Sequence, residues 1–222
     1  MCCALALLAW ACTADDPMLD LRDIYLDYQV LYDADRDSTF VFAGFWVGSS
    51  QVLLSADASA KANQVELIFN PQPGYSYEAG FTGRVNDFTL VYSDGAGGVY
   101  TNGASFAYTD TIDIDLDSLA LGVAHEIRWS GERLQADEEV ALEIYTSAPP
   151  SDYQNYQGLR ATQSQPGTAS ITVASGAFDV LGPGRRAYTL TRTKTQPVTN
   201  STPAGGRVRL SWGTGVRRVL LY

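Results

Sequence analysis

The chain has 222 residues, 45% of them hydrophobic, and 25 acidic against 15 basic side chains give it a net charge of −10. That balance argues against nucleic acid as a partner, because a polyanion is repelled by the chain as a whole. One histidine, and three cysteines confined to Cys2, Cys3 and Cys12, exclude a disulfide framework, a His/Cys zinc centre and thiol catalysis from the rest of the chain, so its stability has to come from core burial.

In chain order, the first element is an uninterrupted small-and-apolar run, Cys2 to Ala11, ended by Cys12 and followed by Asp15 and Asp16. Ten residues are too few for a membrane-spanning helix, which needs about 20. They fit the apolar core of an export signal, and Ala9 and Ala11 fit the small residues before a cleavage site. Residues 1–19 are therefore expected to be a leader and tether.

The body shows a hydrophobic period of two. Ile24, Leu26, Tyr28 and Val30 form the first alternating run. Asp33, Asp35 and Asp37 follow in a loop that reads as a polar hairpin connection. Alternating carboxylates also collect oxygens around Ca²⁺, which keeps a weak calcium site open, although Ser38 replaces the usual glycine and no Glu closes the loop. Phe40, Phe42, Phe45 and Trp46 come next. With all four assigned to the core, a β-bulge is expected at Ala43–Gly44. Val65, Leu67 and Phe69, then Phe88, Leu90 and Tyr92, continue the alternation, and the turn Ser93–Gly98 supplies residues that tolerate positive φ. Tyr75 and Tyr77 lie in a predicted end loop, Pro71 to Phe81.

Ile112 to Leu116 alternates with Asp113, Asp115 and Asp117, which places those carboxylates on one face of a strand, with Asp110 just before them. An edge guarded by charge explains them; a carboxylate pair for hydrolysis is the alternative. His125 begins a strand that carries Trp129 into a core, and no Gly-x-Ser-x-Gly elbow accompanies it. Val140, Leu142 and Ile144 form another strand. A second end loop, Pro149 to Leu159, holds Tyr153 and Tyr156. Ser175 to Leu181 is expected to make one helical turn. Val208, Leu210 and Trp212 close the series.

About a dozen such strands predict an all-β fold of two tandem antiparallel sandwiches, residues 20–118 and 119–222. Charge follows the same division. Residues 1–120 hold 17 acidic and 4 basic side chains, residues 121–222 hold 8 and 11, and no acid follows Asp179. The eight cations after it, including Arg192, Arg207, Arg209 and Arg217, either meet carboxylates of the first half or form a basic end for polyanions such as acidic glycans.

Leu7 to Cys12 resembles a bacterial lipobox, departing from it at Ala9 and Trp10. Ala169 to Val173 and Ala187 to Arg192 resemble the last strands of exported immunoglobulin-like modules. The chain thus resembles, at the level of fold, a bacterial exported lipoprotein with tandem immunoglobulin-like β-sandwich modules. The resemblance implies a lipid on Cys12, anchorage at the cell envelope or surface, and a non-enzymatic role in binding, adhesion or structure. A glycan or protein ligand would meet end-loop tyrosines: Tyr75, Tyr77, Tyr153 and Tyr156. The alternatives are a carbohydrate-binding accessory protein and a carboxylate-dependent hydrolase. No cofactor is expected beyond the weak Ca²⁺ site.

Overall fold

A computed structural model describes residues 23–71, 76–106, 112–146 and 158–222. These residues are all-β apart from a three-residue 3-10 turn, Asp179–Leu181, which falls inside the predicted helical turn. The strands of the first part are β1 (Tyr25–Asp33), β2 (Ser38–Val47), β3 (Ser50–Gln51), β4 (Ser59–Ala62), β5 (Val65–Glu66), β6 (Ile68–Asn70), β7 (Ser76–Thr82), β8 (Asp87–Ser93) and β9 (Val99–Ser105). They are followed by β10 (Ser118–Leu119), β11 (His125–Arg128), β12 (Glu138–Tyr145), β13 (Gly158–Gln163), β14 (Ser170–Val173), β15 (Gly184–Pro197), β16 (Gly206–Gly213) and β17 (Arg217–Leu221).

Eleven strands form one large sheet in the order β10-β17-β15-β16-β1-β2-β7-β6, with β12 and β13 continuing from β15 and β3 on β2. Two small sheets cover one face of it: β5-β4-β8-β9 and β11-β14. The aromatic contacts Phe45–Tyr92 at 5.1 Å and Phe81–Phe88 at 5.4 Å join the first of these to the large sheet. The loop leading into β12 joins the second, where Arg192 donates to the carbonyls of Glu132 and Arg133, each at 3.1 Å. Buried apolar residues of all three sheets make one continuous core.

The period-two runs are reproduced. Leu26, Tyr28 and Val30 of β1, Phe88, Leu90 and Tyr92 of β8, Val140, Leu142 and Ile144 of β12, and Val208, Leu210 and Trp212 of β16 are all buried. Two runs differ. Val65–Phe69 is not one strand. Leu67 is buried between β5, which pairs with β4, and β6, which pairs with β7, so the chain crosses from one sheet to another there and leaves Val65 and Ile68 exposed. In β2 there is no bulge. Its ladder with β1 runs unbroken from Tyr25↔Trp46 to Asp33↔Ser38. Thr39, Val41, Ala43 and Phe45 face the core, which sends Phe40, Phe42 and Trp46 to the opposite face. Small Ala43 in the buried row made a phase shift look necessary; the core takes it as it stands.

Hydrogen-bond ladders cross residue 118. β16 pairs with β1 in parallel, from Leu26↔Gly206 to Asp33↔Gly213. The 14-residue β15 carries β16 and then β17 along one edge and β12 along the other. Inside, Arg192 and Glu138 form an ion pair with each side chain 1% exposed, joining β15 to β12. The Gln135 amide also donates to the same Glu138 oxygen, at 2.8 Å.

Gly206 sits where β16 meets β1. A Cβ there would lie 2.5 Å from the Leu26 carbonyl oxygen and 2.9 Å from its Cβ. Gly206→Ala is expected to cost about 1–3 kcal/mol by overpacking. Gly103→Ala in β9, with no atom within 4 Å of its Cβ, should cost much less. Urea unfolding of the two variants compares them directly.

Tyr28 and Tyr92 lie in the core, and neither hydroxyl has a hydrogen-bond partner among the described residues. Burial pushes both phenols well above their ordinary value, and each is pushed further by a neighbouring acidic group, Tyr92 for Tyr28 and Asp94 for Tyr92. An unfolded chain would release these protons near pH 10 while the folded one keeps them. Stability is therefore full below about pH 10 and falls as pH rises above it. The Tyr28→Phe/Tyr92→Phe double variant should match or exceed the parent at pH 7, since it removes unpaired buried hydroxyls. It should also lose less stability than the parent between pH 8 and 11, as read by urea unfolding at both.

Candidate ligand-binding face

Both small sheets lie on the same side of the large sheet, so among the described residues no sheet covers the other face of the central strands. Registers place its side chains in rows. Asp27 stands between Gly44 and Arg207, Gln29 between Phe42 and Arg209, and Leu31 between Phe40 and Ser211. The rows continue through Thr195, Thr193 and Thr191 of β15 to Glu139 and Glu143 of β12. Arg160 of β13 stands opposite Glu143.

A depression of about 410 Å³ lies at the β2 end, lined by Trp46, Phe42, Gly44, Asp27, Gln29 and Arg209 among others. Gly44 makes room for it. A Cβ at that position would come within 3.1 Å of Trp46 Nε1, so the Nε1 edge of the indole lies against the glycine. Phe40 and Phe42 stack with centroids 6.4 Å apart and planes at 25°. Arg207 Nη2 donates to Asp27 Oδ2 at 2.8 Å, and Arg209 reaches the same carboxylate at 3.3 Å. The hydrogen bond from Arg207 to Asp27 holds that guanidinium above its ordinary value. At the far end Arg160 bridges Glu139 at 3.1 Å and Glu143 at 3.4 Å. Aromatic rings beside fixed amide, carboxylate and guanidinium groups form a surface that meets the apolar face of a ring and hydrogen-bonds its polar rim.

The residues singled out from sequence fall elsewhere. Cys12, Tyr75, Asp110, Tyr153 and Tyr156 lie outside the described residues. Tyr77 belongs to β7, a sheet strand rather than an end loop, because Ser76–Thr82 pairs with both β2 and β6. Its ring packs on Phe45 and Phe69, and its hydroxyl accepts the Leu54 amide at 2.9 Å, so it serves packing rather than display. Asp33, Asp35 and Asp37 do not converge. Asp33 Oδ1 accepts the amides of Asp35 and Arg36, Asp33 pairs with Arg36 at 3.5 Å, and Asp37 accepts the Tyr32 hydroxyl at 2.9 Å. Among the described residues no group of three His, Cys, Asp or Glu could hold a metal ion.

Asp113, Asp115 and Asp117 are exposed and Ile112 and Ile114 buried, but the segment is not the strand expected: among the described residues it makes only an isolated bridge, Asp113 to Ser130, and Asp113 is ion-paired with Arg217. His125 Nε2 donates to the Ala120 carbonyl at 2.8 Å, and its ring packs against Phe178. The basic series is largely paired. Arg192 meets Glu138, Lys194 meets Asp137 at 3.2 Å, Arg207 and Arg209 meet Asp27, and Arg217 meets Asp113. Arg186 caps the carbonyls of Leu181, Gly182 and Pro183. Two of those carboxylates, Asp27 and Asp113, come from the acidic first half.

The outward aromatics Phe40, Phe42 and Trp46, together with Asp27, Gln29 and Arg209, are the residues that sequence reasoning missed as a group. Two signals were present. Strict alternation through Ala43–Gly44 places the three aromatics on one face, and the threonines at every second position from Thr189 to Thr195 mark the outer row of β15. Comparison with family models finds no match, and comparison with curated proteins finds none either.

Proposed function

We propose that the chain is an exported, non-enzymatic binding protein of a bacterial cell envelope, anchored through a lipid on Cys12, and that it holds a carbohydrate on the outer face of its large sheet. The observation that carries the ligand class is the Trp46 depression. An indole with its Nε1 edge against Gly44 offers an apolar ring, and Asp27, Gln29 and Arg209 surround it with donors and acceptors. Sugars have both kinds of surface, with C–H faces for the ring and hydroxyls for the rim. The export half of the proposal is supported by the leader and its resemblance to a lipobox. The finer architectural reading is a pair of immunoglobulin-like units, 20–118 and 119–222, joined through a common sheet.

Binding without turnover is supported by the engagement of the carboxylates on this face. Glu139 and Glu143 are both held on Arg160, at 3.1 and 3.4 Å. Asp113 is similarly engaged with Arg217.

A glycan array probed with the full chain tests the ligand class. Wild type is expected to retain a restricted set of glycans. Trp46→Ala should weaken binding to them by at least about tenfold, the factor that 1.4 kcal/mol represents, with an unchanged circular dichroism spectrum. Equal binding by both proteins would remove the face from consideration. The anchor has a separate test. Mass spectrometry of the mature protein should find an acylated Cys12 at its N-terminus, and an unmodified N-terminus at another residue refutes it.

A further inference from the structure

Three depressions on the outer face merge. The one at Trp46 shares Gln29 and Arg209 with a second of about 390 Å³, and the second shares Leu31, Glu143 and Thr191 with a third of about 260 Å³. Together they make one trough. From Trp46 on β2 to Arg160 on β13 it crosses β1, β16, β15 and β12. That is five inter-strand steps, roughly 24 Å at about 4.8 Å each, and the registers offset the two ends by about ten residues along the strands, so the trough runs diagonally over the sheet. The floor stays low along the way. Gly44 and Gly213 carry no side chain, Ser211 is buried beneath the surface, and Thr191 and Thr193 contribute short hydroxyl and methyl groups.

Every cation along the trough is paired, and carboxylates outnumber cations. Arg160, Arg207 and Arg209 each have a carboxylate oxygen within 3.3 Å. Glu78 stands opposite Phe42, close to the Asp27 cluster, and accepts from Asn70. An anionic ligand would meet guanidiniums that are already paired and would have to displace an existing ion pair. A hydroxyl would not, because it donates to a carboxylate and accepts from a guanidinium that are already paired, using lone pairs and protons the pair leaves over.

We infer that the ligand is a linear, non-acidic glycan chain lying across the strands, one ring against Trp46 and later rings over the threonine floor toward Arg160. This rests on the carbohydrate reading above and adds chain length, charge and direction to it. A single sugar would fill the Trp46 depression alone. A chain would engage the whole trough, so affinity grows with length until the far end is reached, and the two ends of the trough contribute separately.

Calorimetry with the full chain tests it, using cello-, xylo- and manno-oligosaccharides of two to six units and oligogalacturonates of the same lengths. Affinity for at least one neutral series should rise at least about tenfold from two units to six, and exceed that for oligogalacturonates of equal length. Arg160→Ala, at an exposed far-end position, should lower affinity for six units several-fold and leave that for two units unchanged. Trp46→Ala should lower both. Thermal unfolding of each variant confirms that it is folded. Affinity independent of length, an Arg160→Ala effect equal at both lengths, or preferential binding of oligogalacturonate would overturn the inference while the carbohydrate reading stands. Absence of binding to every oligosaccharide here and to every glycan of the array would overturn both.

Discussion

A parallel ladder between β1 and β16 joins residues about 180 positions apart and holds the centre of the large sheet. Neither strand has a local partner that could replace it. β1 has β2 on its other edge, and β16 has β15. The ladder requires the backbones to approach closely at Leu26 and Gly206, which only a residue without a side chain allows. It also seals the start of β1, where the Thr202 hydroxyl donates to the Ile24 carbonyl and Asn102 of β9 binds the amides of Thr199 and Asn200. Closing so long a loop costs entropy before any contact rewards it, and folding dominated by such pairings is slow. The same ladder sets Arg207 and Arg209 beside Asp27, so one pairing holds the fold together and composes the Trp46 depression.

The ion pairs of this chain divide into two kinds. Those on the outer face, Asp27 with Arg207 and Arg209 and Arg160 with Glu139 and Glu143, are partly exposed and contribute little stability each. They fix side-chain positions on the trough. The Arg192–Glu138 pair is buried, and its charges have left water. Such a pair adds little against a hydrophobic alternative, but removing one partner leaves a lone buried charge at a cost of about 3–5 kcal/mol. Arg192 also takes up the Glu132 and Arg133 carbonyls, which ties the strand, its neighbour β12 and the covering loop to one position.

Where one face of a strand is core and the other is not, the fold is legible in the sequence: β1, β8, β12 and β16 alternate as read, and the Ser93–Gly98 turn has Gly95 and Gly97 at positive φ with Asp94 accepting the amides of Ala96 and Gly98. Asp113, Asp115 and Asp117 also stand where alternation puts them. What was not legible depends on distant partners. Nothing near Leu26 or Gly206 announces a parallel pairing across most of the chain. Nothing near Leu67 says that the strand before it and the strand after it belong to different sheets. Arg192 reads as one more cation in a basic run until Glu138 arrives beside it. The outer face of β2 was hidden for another reason. Large aromatics were assigned to the core by type, and alternation was bent to fit, although period two kept intact through Ala43 and Gly44 would have turned Phe40, Phe42 and Trp46 outward.

On β15 this face has a composition that packing and solubility suffice to explain. Its outer row is Thr189, Thr191, Thr193 and Thr195, β-branched and hydroxylated, which suits a pleated surface against water. On β2, in the same sheet and on the same face, the row is Phe40, Phe42, Gly44 and Trp46. Outward aromatics add nothing to the buried core, and an apolar patch on a sheet invites association. Gly44 compounds the departure, since glycine weakens a strand interior. A stable sheet needs none of these choices at those positions. A recognition surface would use them together: the glycine leaves room for the Nε1 edge of the indole, the indole supplies an apolar ring, and the Asp27 cluster, set in place by the β1–β16 ladder, supplies hydrogen bonds beside it. The binding proposal rests on this departure from the β15 pattern.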